Sequence, residues 1–225
     1  MRATLSSPLH LQPVTSIATF SPKNTMLSAH PPVGTSPGDA ERLLRFNRQL
    51  IDQALALVAA HDAPGAPAYA QRTGPHLRHV IEHYEALVLR DAHSMVDYDR
   101  RPRDRALERD ASLARARLNA LKQQLAGWSD AVLEQPLRVH GQGGPVGEFD
   151  FATASSIGRE LVFLASHATH HYALLQLYCE QHGIATDPNF GRAPATVAHA
   201  LSDRADPIPA DPNQEFECPT FQPAA

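Results

Sequence analysis

At 225 residues with a formal net charge of -4, the chain has room for one ordinary domain with tails, and its arginines are interleaved with acids instead of forming a basic stripe, which argues against a nucleic-acid partner. Two cysteines, Cys179 and Cys218, give no disulfide framework and no Cys-x-x-Cys pair, so a reducing cytoplasm is the expected compartment. No apolar run reaches the roughly 18 residues of a membrane span, and no secretory segment follows Met1, so no membrane association is expected.

Residues 1–36 are rich in Ser, Thr, Pro and Ala, and no acidic residue precedes Asp39. They read as a disordered leader, with a transit peptide or a true start at Met26 as alternatives. A first helix begins at Pro37-Gly38-Asp39 and carries Leu43, Leu44, Phe46, Leu50, Ile51, Ala54, Leu55 and Val58 as a broad apolar face as far as His61-Asp62. The Pro- and Gly-containing segment from Ala63 to Pro67 ends it. Gly74-Pro75 opens a second helix, expected to run to about Met95, with Leu77, Val80, Tyr84, Leu87 and Val88 as its core stripe. His76, His79 and His83 line one edge of that stripe, within about 60° of one another on a helical wheel.

Residues Val96 to Asp104 break the period with proline and mixed charge and read as a solvated loop, from which Tyr98 and Arg101 could reach over a site mouth. A third helix is expected from about Arg103 to Gly127, burying Leu107, Ala111, Leu113, Ala114, Ala116, Leu118, Leu121 and Leu125. Between Trp128 and Ala152 the helical period lapses. Leu137, Val139, Val146, Phe149 and Phe151 alternate with polar residues around Gly141-Gln142-Gly143-Gly144, predicting a small hairpin over a connecting loop.

A fourth helix should follow from about Thr153 to Gln181, capped by Thr153, Ser155 or Ser156 and stopped by Gly183. Its stripe is Ile157, Leu161, Leu164, Ala168, Leu175 and Cys179. His167 and His171 sit one turn apart, about 40° from each other on the wheel, which lets both imidazoles reach one metal ion. Glu160 lies two turns before His167 on the same face, while His170 falls about 100° away from His171 and reads as a bystander or an outer donor. Two imidazoles on an inward face cost desolvation unless something holds them; ordinary histidines satisfied by carbonyls are the competing explanation. A third ligand would come from the second helix, with His79 at the centre of its row the first choice and His83 the second. A short helix over Ala195–Leu201 and a flexible Pro-rich tail over 203–225 complete the chain.

The segments from Gly74 to Tyr84 and from Arg159 to Tyr172, a histidine early in a second long helix and a His-x-x-x-His in a fourth, resemble the DinB/YfiT-like superfamily of metal-binding four-helix bundles. The resemblance covers residues 37–202. It implies an all-α fold, a four-helix bundle with a long crossover loop or small hairpin before the fourth helix. It further implies a divalent metal ion, zinc, nickel or iron, held by His79, His167 and His171, with His76 and His83 flanking the first ligand, and a homodimer. Members with known activity include thiol S-transferases and an isomerase that uses a low-molecular-weight thiol.

Three neutral imidazoles leave an ion with its full charge and an open position, which is the pattern of a catalytic site more than of a structural one. The expectation is therefore a metal-dependent enzyme acting on a small molecule, by thiol S-transfer or hydrolysis, with Glu160 as proton acceptor or as the group that holds a ligand imidazole in its tautomer. An ion pair between Glu160 and an arginine is the plainer role for that carboxylate. The alternative for the whole chain is a non-catalytic metal-binding or interaction bundle.

Overall fold

A computed structural model of the protein describes residues 37–90 and 95–205, all within the unit that spans Thr35–Ala225. The expected leader, residues 1–36, and the tail from residue 206 onward lie outside the described residues. Helix α1 spans Pro37–Ala60 and α2 spans Thr73–Val88. A strand β1 at Met95–Asp97 precedes a short α3 at Arg105–Arg109, α4 at Ala111–Ala126 and a single turn α5 at Asp130–Leu133. Strands β2, Pro136–Gly143, and β3, Phe149–Ser156, lead into α6, Ile157–His182, and α7 follows at Pro194–Ala205.

The molecule is mostly helical, but the all-α expectation misses a three-stranded sheet of order β1-β2-β3. Strands β2 and β3 are the expected hairpin, paired antiparallel from Pro136 opposite Ser156 to Gly143 opposite Phe149. Its turn falls later than predicted, because Gly141, Gln142 and Gly143 continue the β2 ladder and the reversal uses residues 144–148. Strand β1 runs parallel to β2, with Val96 opposite Val139.

Helix α1 packs on α4 and α6, and α2 packs on the same two helices. Between them lies one apolar core: Leu50, Ile51 and Leu57 from α1, Leu77, Val80, Ile81 and Leu87 from α2, Leu118, Leu121 and Leu125 from α4, and Leu161, Leu164, Ala168 and Leu175 from α6. The spacing of three and four residues in each set puts one continuous stripe of each helix inward. Burial of such side chains contributes roughly 1.5–3 kcal/mol apiece against the cost of ordering the chain. Two tyrosine hydroxyls that enter the core are satisfied by partners on another helix. The Tyr84 hydroxyl donates to Asn47 Oδ1 at 2.8 Å and the Tyr172 hydroxyl to the Leu50 carbonyl at 3.0 Å.

The predicted third helix is two helices. Asp110 adopts an extended conformation and its carboxylate accepts from the backbone N–H groups of Ser112 and Leu113, which starts α4 afresh. Ala116, expected in its buried set, is exposed. The second helix stops at Val88, well short of Met95, which instead belongs to β1. Thr153 and Ser155, two of three candidate caps for α6, lie in β3, and Ser156 is the cap whose hydroxyl accepts from Arg159 N–H at 3.2 Å. Gly183 closes α6 in the left-handed conformation at φ 66°.

Candidate metal centre

The packing of α2 against α6 brings the two histidine rows face to face. His79, His167 and His171 each present a ring nitrogen, and the three nitrogens lie within 4.8 Å of one another. Their ring centroids are 5.0 Å apart for His79 and His167, 4.6 Å for His79 and His171, and 4.7 Å for His167 and His171. A tetrahedral zinc ion asks its nitrogens to stand about 3.4 Å apart, so the set would have to draw in from its present spacing to hold one. His167 Nε2 is buried and has no hydrogen-bond partner among the described residues. An unsatisfied buried nitrogen costs about 1–3 kcal/mol, and a cation at the centre of the triad would relieve that cost. The donor set fits a divalent ion.

The other histidines are placed differently. His83 Nδ1 lies 2.7 Å from the His79 carbonyl oxygen, which fixes Nδ1 as the N–H and leaves Nε2 to accept from Arg101 Nη1 at 3.2 Å. With both nitrogens engaged, His83 serves as a buttress beside the triad. His76 Nδ1 lies 2.9 Å from His171 Nδ1, at the outer end of the row. His170 is exposed, its ring edge-on to His171 with centroids 5.4 Å apart, in keeping with a bystander.

The segment expected as a solvated loop is partly buried, with Val96 1% and Tyr98 9% exposed, and two of its residues reach the cluster. Arg101 extends Nη2 to within 3.3 Å of His79 Nδ1, and the Tyr98 ring stacks on His83 at 5.5 Å with an 18° interplanar angle. Glu82 was missed from the sequence. Its side chain is only 1% exposed, it accepts from Asp104 N–H at 2.6 Å, and it faces Arg101. The available signal was an acid three residues after His79, on the histidine edge of the helix, where a carboxylate can be buried only with a partner.

Glu160 is buried on α6 as expected, yet its carboxylate is taken up by the Tyr98 hydroxyl at 2.9 Å, the Ser155 hydroxyl at 2.5 Å and Arg159 Nη1 at 3.4 Å. It therefore does not hold a ligand imidazole directly. The path from Glu160 to the histidines passes through Tyr98, and the plainer role, an arginine pair, is met in part by Arg159. Tyr98, Ser155, Glu160 and Phe163 line a cleft of about 390 Å³ under the β2–β3 hairpin. Phe163 backs this cleft and stacks on His167.

Burial and the crowding of like groups depress the basicity of every histidine in the cluster. Desolvation is the leading cause at His79, pushed down to about 2, with His83, His171, Arg101 and His167 adding to it. Desolvation likewise lowers His83 to about 3 and His171 to about 4, and lowers His76 and His167. All five imidazoles are thus neutral at pH 7, the form in which a nitrogen lone pair can bind a metal.

Among described residues no helix is long and apolar enough to cross a membrane. No family model matches the chain, and no solved structure matches it. A protein of Rhizopus delemar named FK506-binding protein 5 is 30% identical over 106 residues, which is 47% of this chain and 28% of that protein. The chain spans little more than a quarter of that relative's length, and the ligand in its name belongs to that protein.

Proposed function

We propose that the protein is a metal-dependent enzyme of the DinB/YfiT-like type, acting on a small molecule by thiol S-transfer or hydrolysis. In this proposal α1, α2, α4 and α6 are its four-helix bundle, and His79, His167 and His171 hold a divalent zinc, nickel or iron ion. The observation that carries it is the convergence of three neutral imidazoles from two helices on one point, with His167 Nε2 left without a partner. When bound, the ion supplies positive charge and an open position at which water or a thiol loses its proton near neutral pH. His83 and Tyr98 stack beside the triad, and Glu160, buried on α6, accepts from the Tyr98 hydroxyl and is offered as a proton acceptor that reaches the site through it. A cytoplasmic setting suits this chemistry and the buried free thiol of Cys179. A homodimer belongs to the same proposal.

Elemental analysis of natively purified protein tests the site. About one divalent ion per chain is expected, falling at least about tenfold in His171→Ala, as loss of a ligand weakens binding by more than loss of its supporting partners. Equal metal content in both would rule the site out.

One observation favours a second possibility, a non-catalytic bundle: the Arg101 N–H groups satisfy His79 and His83 without any ion. Chelation separates the two. A structural ion would take much of the stability with it, whereas a catalytic ion would take turnover of a thiol and electrophile pair with a smaller drop in melting temperature.

A further inference from the structure

Arg101 is held inside the histidine cluster from several directions. Its side chain is 10% exposed; Nη1 donates to the Tyr98 carbonyl oxygen and to His83 Nε2, and Nη2 donates to His79 Nδ1 at 3.3 Å. Glu82 Oε2 lies 3.9 Å from Nε. The other Glu82 oxygen is tethered by Asp104 N–H, and neither Arg101 Nε nor Glu82 Oε2 completes a hydrogen bond among the described residues. Glu82 therefore neutralises the guanidinium without taking over the Nη2 donor.

Metal binding at His79 removes the acceptor that Nη2 now uses, whichever ring nitrogen binds. If Nδ1 is the ligand, its lone pair goes to the ion. If Nε2 is the ligand, a neutral imidazole must carry its proton on Nδ1, and an N–H then faces an N–H. In both cases an almost buried cationic donor loses its partner, at the full cost of its desolvation. The charge balance points the same way. A divalent ion on three neutral imidazoles, with Arg101 offset by Glu82, leaves two positive charges in excess, and the site favours an anion.

We infer that Arg101 Nη2, backed by Glu82, is an anion-binding donor beside the three histidines, which takes the carboxylate of a small thiol acid whose sulfur binds at the ion. This rests on the metal site proposed above. A guanidinium suits this role because its rigid, planar donors match a carboxylate oxygen and stay charged at any working pH. Arg101 is thus a specificity-determining residue that separates acidic thiols from neutral ones of the same size.

The test uses full-length protein loaded with cobalt(II), titrated with mercaptoacetate and with 2-mercaptoethanol, and read by the thiolate-to-cobalt absorption band. The wild type should bind mercaptoacetate at least about tenfold more tightly than 2-mercaptoethanol, the factor one charge-assisted hydrogen bond supplies. In Arg101→Gln the preference should fall to within about twofold, with cobalt content unchanged. If that variant does not fold, Arg101→Lys decides: a reduced preference supports the assignment and an undiminished one overturns it. A wild type that binds both thiols equally, or an Arg101→Gln variant that keeps the preference, overturns the anion site alone. A wild type that takes up no cobalt overturns the metal site and the anion site together.

Discussion

The five clustered histidines set how the protein responds to acid. An unfolded histidine titrates near 6.5, while in the fold His79, His83 and His171 are held down to about 2, 3 and 4. Between about pH 6.5 and 4 the unfolded chain therefore binds protons that the folded chain refuses, and acid favours unfolding throughout that window. Chelator-treated protein should melt at least about 5 °C lower at pH 5 than at pH 7.5, and His79→Ala should flatten that slope. A melting temperature independent of pH across this range would contradict the electrostatics described for the cluster. The metal-bound protein should show a steeper loss, since protons and the ion compete for the same lone pairs. The helical repeat of 3.6 residues made the histidine faces legible: it picks out the pair His167 and His171 on α6 and the row His76, His79 and His83 on α2, and within that row it left His79 only as the first choice ahead of His83. Glu82 and the contacts of Arg101 were not legible, since they depend on a loop folding back over α2 from 22 residues away.

Helix boundaries were less legible than helix faces. α6 emerged with its stripe and its Gly183 stop because both are local, but its start was displaced by the alternation of Phe149, Phe151 and Thr153, which extends β3 to Ser156 before the helical period takes over. Strand β1 is three residues long and exists only through pairing with β2, some 40 residues away in sequence, so no local pattern announces it. The break at Asp110 hides inside a nearly continuous helical pattern and shows itself only through its cap. Asp110→Ala should cost about 1 kcal/mol, or a melting temperature lower by about 2–4 °C, with the two orphaned N–H groups of α4 as the cause. Where α2 begins, a Cβ added at Gly74 would lie 2.0 Å from the Glu108 carbonyl oxygen of α3. Gly74→Ala should therefore destabilise by about 1–3 kcal/mol through displacement of α3 from α2, measured by chemical denaturation. A neutral Gly74→Ala would show that the two helices are not in close contact.

At the scale of the molecule, α1 and α2 each bridge α4 and α6, and the site sits where the α2–α6 contact meets the loop that follows β1. The helices carry the three candidate ligands on rigid supports, and the irregular segment supplies the charged and aromatic groups around them, the usual division between scaffold and chemistry. The sheet, of which only the β2–β3 hairpin was expected, is what anchors this segment: β1 pairs with β2, and Tyr98 follows directly, within reach of both Glu160 and His83. Removing the Tyr98 hydroxyl by Tyr98→Phe leaves the ring on His83 but strips Glu160 of a donor. If the protein has the proposed thiol activity, that change should lower its turnover while altering metal content by less than about twofold.

X-ray absorption at the zinc edge of zinc-loaded protein examines the central claim most directly. Three imidazole nitrogens at about 2.0–2.1 Å are expected in the wild type, falling to two in His79→Ala. A coordination sphere made of oxygen, or one that His79→Ala leaves intact, would contradict the meeting of α2 and α6 on a common ion.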